Sequence, residues 1–179
     1  MNTLILGGVR SGKSRYAAQL ALVTACPVAL IVTGRALDEE MAARIATHRR
    51  NRPTHWAVVE EPIHLAAALR EAAAAARLVI VDCLTLWLSN LLCGEDAGAL
   101  ERETEDLLAT LPELSVDCVL VSNEVGLGII PASALARRFG DAAGTLHQAL
   151  AARCDRVVLM VAGLPVSLKD ARPPESGSP

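Results

Sequence analysis

The chain has 179 residues, of which 52% are hydrophobic but only 2% aromatic, and its formal net charge is −3. That length suits a single α/β domain with an aliphatic, alanine-rich core, and the slight acid surplus lacks the basic footprint of nucleic-acid binding, so no nucleic-acid partner is expected. No apolar run reaches the ~18 residues of a membrane span, and five scattered cysteines (Cys26, Cys83, Cys93, Cys118, Cys154) form no C-x-x-C pair, which fits a reduced, cytoplasmic protein rather than a disulfide or metal framework.

The chain opens directly in an apolar run, Leu4-Ile5-Leu6, with no charged segment of a signal peptide before it. The run is short enough for one buried strand and leads into Gly7-Gly8-Val9-Arg10-Ser11-Gly12-Lys13-Ser14, the phosphate-binding P-loop pattern. Residues 15–22 follow as helix formers with apolar positions on one face, so the motif stands between a strand and a helix, as a P-loop must. A glycine-rich turn carrying a chance Gly-Lys-Ser would not need those flanks. Glycines let backbone N–H groups turn inward around a polyphosphate, and the helix N-terminus adds partial positive charge behind it. Lys13 is placed to reach the β/γ-phosphates and Ser14 to ligate Mg²⁺.

Strand-like and helical stretches then alternate. Residues 27–32 form a second buried strand. Asp38 is an expected helix N-cap, with Glu39 and Glu40 in the first turn, and the helix should end near Arg50, before Pro53. A helix is expected over 62–77 with Pro62 at its start, a third strand over 78–82 and helices over 84–92 and 99–111. A fourth strand is expected at 118–122, a helix over 131–153 broken near Gly140 or Gly144, a fifth strand at 156–161 and a short edge strand at 165–169. The Pro-, Ser- and Gly-rich residues 171–179 read as a disordered tail, leaving 1–170 as one catalytic domain. Near-continuous apolar strands between helices imply a P-loop NTPase-like α/β fold, a largely parallel sheet with helices on both faces.

Two further places carry chemistry. Asp82 closes the strand Leu78-Val-Ile-Val, where a P-loop protein puts its Mg²⁺-side carboxylate. The competing role is N-cap of the helix that follows. In the second helix, Met41, Arg44, Ile45, His48 and Arg52 share one broad face at 100° per residue. A histidine there is ordinarily a packed residue, but Arg49, Arg50 and Arg52 follow it. Clustered guanidinium groups suit phosphate oxygens, and a neutral imidazole beside bound phosphate is a nucleophile for phosphorus. The alternative for the arginines is a solvated helix end whose cations offset the dipole. Glu60 is a ribose or base contact, or a surface acid. His55, His64 and His147 are rival histidines.

With these residues in view, the sequence resembles the bifunctional adenosylcobinamide kinase / adenosylcobinamide-phosphate guanylyltransferase family of cobalamin biosynthesis, from about Leu4 to Lys169. The carriers are the P-loop octapeptide at 7–14, residues 38–56, Val81-Asp-Cys-Leu-Thr-Leu-Trp-Leu-Ser-Asn90, Ser122-Asn-Glu-Val-Gly-Leu-Gly128, Arg137-Arg-Phe-Gly-Asp-Ala-Ala-Gly144 and Ala162-Gly-Leu-Pro165. Val9 departs from the alanine more usual in the family. The resemblance implies two reactions: phosphorylation of adenosylcobinamide by ATP or GTP, then transfer of GMP from GTP, through a guanylylated histidine, to the cobinamide phosphate. The family's histidine falls on His48. Its GTP contacts fall on Gly7, Gly8, Val9, Arg10, Ser11, Gly12, Lys13 and Ser14, on Val32, Thr33 and Gly34, on Arg49, Arg50, Asn51 and Arg52, and on Glu60 and Asp82. Ser14 and Asp82 are the implied Mg²⁺ side, and a homotrimer is implied. Two other classes compete: a plain small-molecule kinase without a covalent intermediate, and a nucleotide-binding regulator. Dependence of nucleotide turnover on a corrinoid acceptor separates them.

Overall fold

The computed structural model describes residues 1–24, 26–36, 38–50 and 53–171, with Arg44 and His48 described by their backbone alone. The strands are β1 (Asn2–Gly7), β2 (Val28–Val32), β3 (Ala57–Glu60), β4 (Leu78–Asp82), β5 (Asp117–Val121), β6 (Arg156–Val161) and β7 (Leu164–Asp170). The helices are α1 (Lys13–Leu22), α2 (Glu39–Arg50), α3 (Leu65–Ala75), α4 (Leu84–Cys93), α5 (Ala99–Thr110) and α6 (Ala134–Arg153). All seven strands join one sheet in the order β3-β2-β4-β5-β1-β6-β7. Every pairing is parallel except β6 with β7. The chain thus has the P-loop NTPase-like α/β fold that its alternating pattern implies.

The apolar strands are covered on both faces, which is why they do not alternate with polar residues. Leu4, Leu6, Ile31, Val79, Val81 and Leu120 face a layer that includes Leu69, Trp87, Leu107 and Leu150 from α3, α4, α5 and α6. Their neighbours Ile5, Leu30, Ile80, Val119 and Val121 point the other way, onto Ala17 and Ala21 of α1 and onto Trp56. Alanines on α1 let that helix, and the P-loop before it, lie close to the sheet.

Several boundaries differ from the sequence expectation. β3 was not foreseen: it is four residues long, mostly exposed, and exists by pairing with β2. α3 begins at Leu65 rather than Pro62, because Glu61 Oε1 accepts the N–H groups of Ile63 and His64, each at 2.8 Å, and holds the preceding turn out of the helix. α6 starts after Ser133, whose hydroxyl accepts the Ala136 N–H, and runs unbroken past Gly140 and Gly144. Its buried face, Ala143, Leu146, His147 and Leu150, supplies the packing that outweighs the weak helix propensity of glycine. The expected edge strand is β7. Ala171, expected in the tail, is held by its N–H, which donates to the Asp155 carbonyl at 2.9 Å; the rest of the expected tail, 172–179, lies outside the described residues. Among the described residues no helix is long and apolar enough to cross a membrane.

Asp38 does cap α2: its Oδ1 accepts the Met41 N–H at 2.7 Å. None of the α2 side chains described is buried. The helix lies over the carboxyl end of β2, where a Cβ on Gly34 would stand 3.1 Å from Leu86 Cδ1 and 3.7 Å from Ile45 Cδ1.

Candidate active site

Strand register lines up the candidate residues. Glu60 pairs with Val32, Val32 with Asp82, Asp82 with Val121, and Val121 with Ile5, two residues before the P-loop begins. Glu60, the residues after Val32, Asp82 and residues 7–14 therefore share the carboxyl edge of one sheet, where ligands of such folds bind.

The P-loop is fixed by backbone geometry. Gly7 has φ 152° and Gly12 φ 100°, and Arg10 sits in the left-handed region at φ 56°. A Cβ on Gly7 would lie 2.6 Å from both the Met160 carbonyl and Ser11 Oγ, so only glycine fits there. Gly12 precedes α1 without any side-chain cap, leaving the first N–H groups of the helix to a ligand. Lys13 folds back across the loop, and its Nζ donates to the Gly8 carbonyl at 2.6 Å. The side chain is almost fully buried, and burial pushes its pKa down, partly offset by Cys83 and Asp82. The Cys83 thiol is itself pushed up by burial and is uncharged near neutrality, so Asp82 is the anion that matters to Lys13. Val9 is 75% exposed, which explains why a larger side chain than alanine is tolerated there. The β6–β7 turn is seated on the loop: the Gly163 N–H donates to the Ser11 carbonyl at 3.0 Å, and a Cβ on Gly163 would meet the Arg15 guanidinium at 3.1 Å.

Asp82 is half-buried at the end of β4. It is not the N-cap of α4; Cys83 holds that position, without a side-chain bond. Ser14, on the first turn of α1, is half-buried as well. A hydroxyl and a carboxylate are hard oxygen donors, and Mg²⁺ ordinarily takes one or two protein carboxylates with the rest of its shell from phosphates and water, so this donor set fits that ion.

Thr33 is fully buried, and its side chain works within the fold. Its Oγ1 donates to the Cys83 carbonyl at 2.6 Å, and Asn90 Nδ2 donates to the Thr33 and Pro62 carbonyls at 2.8 and 3.1 Å. Trp87 Nε1 donates to the Ile63 carbonyl at 2.7 Å. Trp87 and Asn90 thus pin the segments that follow β2 and β3, which gives the 81–90 block a physical role. With Val32 also buried, Gly34 is the partly open residue of the Val32, Thr33, Gly34 trio.

Arg49 and Arg50 do not converge. Arg49 pairs with Glu60, while Arg50 donates to Thr47 Oγ1 at 3.1 Å on its own helix. Asn51 and Arg52 lie outside the described residues, and His48 is placed by its backbone on the last turn of α2. Arg49 and Glu60 border a shallow cavity of about 430 Å³ with Pro53, Thr54, Trp56 and Val58. Of the rival histidines, His64 Nδ1 lies 2.9 Å from Glu103 between α3 and α5, His55 is exposed in the turn before β3, and His147 is buried on α6. A further group was not foreseen as a unit: Ser122, Glu124, Thr85 and His147 gather beyond β5, between the P-loop strand and Asp82.

Oriented N–H groups, a buried lysine and a hydroxyl–carboxylate pair can hold a polyphosphate with a divalent cation, and α2 with Glu60 closes the far end of the same edge. Comparison with known proteins narrows the chemistry. Residues 3–168 match the family described as Cobinamide kinase / cobinamide phosphate guanyltransferase. The chain is 55% identical over 169 residues to the "Bifunctional adenosylcobalamin biosynthesis protein CobP" of Pseudomonas aeruginosa, covering 94% of this chain and 98% of that one. It is 42% identical over 183 residues to the "Bifunctional adenosylcobalamin biosynthesis protein CobU" of Salmonella typhimurium, covering 94% and 100%. Among solved structures, a Pyrococcus horikoshii OT3 protein is similar in fold, with TM-score 0.56, 8% identity and coverage of 96% and 87%.

Proposed function

Because the chain belongs to the cobinamide kinase / cobinamide phosphate guanyltransferase family of cobalamin biosynthesis, we propose that it carries out both reactions at the one sheet edge described above. In the first, ATP or GTP phosphorylates the hydroxyl of adenosylcobinamide. In the second, GTP guanylylates His48 with release of pyrophosphate, and adenosylcobinamide phosphate takes the GMP to give adenosyl-GDP-cobinamide.

The observation that carries this reading is convergence. Gly7–Ser14, Asp82, Glu60 and the helix bearing His48 reach one edge from four separate strand–loop units. The P-loop N–H groups and Lys13 hold the phosphates. Ser14 and Asp82 would hold Mg²⁺, which supplies charge neutralisation on the phosphate oxygens. His48 attacks the α-phosphorus through a ring nitrogen, forming a P–N bond as the bond to pyrophosphate breaks. Phosphate contacts are assigned to Arg49 and Arg50, which would leave their present partners, and to Asn51 and Arg52, which lie outside the described residues. Arg49 exchanges Glu60 for phosphate oxygens when nucleotide enters, which leaves Glu60 to the nucleoside.

A homotrimer in the cytoplasm completes the proposal, with residues 1–170 acting as one catalytic domain. Leu164, Val166 and Leu168 project at every second position along β7 and are exposed, the kind of apolar edge a subunit contact covers. The function is tested by following nucleotide with and without adenosylcobinamide. Phosphoryl transfer, and pyrophosphate release beyond one equivalent per enzyme, are expected to depend on the corrinoid. Nucleotide hydrolysis indifferent to it would contradict the assignment.

A further inference from the structure

The group beyond β5 sits beside the phosphate cradle and has no part in the chemistry assigned so far. The Glu124 N–H donates to the carbonyl of Gly7 at 3.0 Å, and the Ser122 N–H donates to that of Ile5 at 2.9 Å, so the start of this loop is stitched to the P-loop strand. Residue 124 therefore stands at the sheet edge between Gly7 and Asp82. One carboxylate oxygen of Glu124, Oε1, braces its own turn by accepting the Gly126 N–H at 2.6 Å. The other, Oε2, lies 3.9 Å from His147 Nδ1, beyond hydrogen-bond length but within strong electrostatic reach, and the side chain keeps 24% of its exposure.

His147 reaches this place from the opposite side of the fold and is held there. Its Nε2 is 2.8 Å from Ser122 Oγ; Ser122 Oγ is 3.5 Å from Thr85 Oγ1; and Thr85 Oγ1 accepts the Asn123 N–H at 2.7 Å. A hydroxyl donates once and accepts twice, so this row accommodates an arrangement in which Thr85 donates to Ser122, Ser122 donates to His147 Nε2, and the imidazole proton sits on Nδ1, facing Glu124. Burial lowers the His147 pKa against the opposing pull of Glu124, in keeping with a neutral ring that carries one N–H.

The other carboxylates at this edge are engaged. Glu60 pairs with Arg49, Glu61 Oε1 accepts two N–H groups ahead of α3, and Asp82 faces Lys13 and the metal side. Immediately after Glu124 come the exposed apolar residues Val125, Leu127, Ile129 and Ile130. Glu124 thus stands where the phosphate cradle meets an open apolar surface.

We propose that Glu124 is the general base of the phosphorylation step, taking the proton of the acceptor hydroxyl at Oε2, with His147 as the residue that positions it. This rests on the kinase reading given above. The hydroxyl oxygen forms its bond to the γ-phosphorus as its proton passes to Glu124. The bond from that phosphorus to the β,γ-bridging oxygen breaks, and the nucleoside diphosphate leaves with the electron pair. Glu124 then returns the proton to solvent through its exposed edge.

The test measures phosphoryl transfer from nucleotide to adenosylcobinamide by the full chain. Glu124→Gln keeps an oxygen for the Gly126 N–H but removes the base, and kcat should fall by about 10²–10⁴, the usual span for a general base. Glu124→Ala should fall likewise and recover turnover with added formate, which a brace for the loop would not do. His147→Gln should lower kcat by about tenfold and leave the KM for nucleotide within about threefold, as expected of a group acting through another. A Glu124→Gln kcat within about threefold of wild type, or failure of formate to restore Glu124→Ala, overturns the proposal. Wild-type protein that transfers no phosphoryl group to the corrinoid would instead defeat the parent reading.

Discussion

The P-loop at residues 7–14 and the end of α2 face the same sheet edge, yet they are built in opposite ways. The P-loop is made by the fold. Gly7 occupies a position no side chain fits, Gly12 has a backbone that favours glycine, the lysine is 7% exposed, and a neighbouring hairpin is hydrogen-bonded onto the loop. The α2 side is made by surface groups. Arg49 and Glu60 pair with side chains 56% and 59% exposed, and Arg50 reaches only its own helix. The phosphate half of the site is therefore formed before any ligand arrives. The half that carries His48 is held by contacts that a phosphate can outcompete, which suits the proposed sequence of GTP entry, covalent adduct and GMP release to a second substrate.

The largest effect that would break this contrast is at Lys13. Lys13→Ala removes a preorganised charge that the proposed mechanism uses in both reactions, and both rates should fall by about 10²–10³. Steady-state assays of each reaction decide it; unchanged rates in folded protein would take the P-loop out of the mechanism. Asp82→Asn is the next largest. It should leave the fold intact and raise the Mg²⁺ needed for half-maximal rate by about 10–100-fold. Superimposable Mg²⁺ titrations would return Asp82 to a structural role.

The two smaller effects are on stability. Gly7→Ala forces a Cβ onto the Met160 carbonyl at 2.6 Å, and backbone must shift to admit it. A loss of about 1–3 kcal/mol is expected, read as a lower Tm together with weaker nucleotide binding. Glu60→Gln breaks an exposed pair and should change stability by about 1 kcal/mol or less. Its nucleotide affinity should nevertheless change, because Arg49 is then released and the nucleoside contact is altered. A large fall in Tm for Glu60→Gln would mean that the α2 side is as firmly built as the P-loop.

Local features were legible in the sequence and distant pairings were not. The P-loop is contiguous, and each of its residues acts through the backbone beside it, so the motif with its flanks was enough. The Asp38 cap was legible for the same reason. β3 escaped notice because Ala57-Val-Val-Glu is short and exposed and becomes a strand only by pairing with β2. Gly140 and Gly144 suggested a break because propensity is local, whereas the packing that keeps α6 whole comes from elsewhere in the fold. Thr33 with Asn90, and Glu124 with His147, lie 57 and 23 residues apart in sequence. The pairing of β2 with β4 brings the first pair together, and the packing of α6 back across β1 and α4 brings the second. Arg49 and Glu60 were both singled out for nucleotide, but nothing in the chain pattern indicated that they hold each other without it.

His48 is the proposed site of guanylylation, and a covalent label tests it directly. Incubation with GTP labelled at the α-phosphate should give labelled protein whose bond is lost in acid and survives base, the behaviour of a phosphorus–nitrogen bond and the opposite of an ester or acyl phosphate. His48→Ala should abolish that label while the protein still phosphorylates adenosylcobinamide, since γ-phosphate transfer does not require this nucleophile. Label that persists in His48→Ala, or that is lost on replacing His55 instead, would contradict the assignment and place the covalent chemistry on another residue.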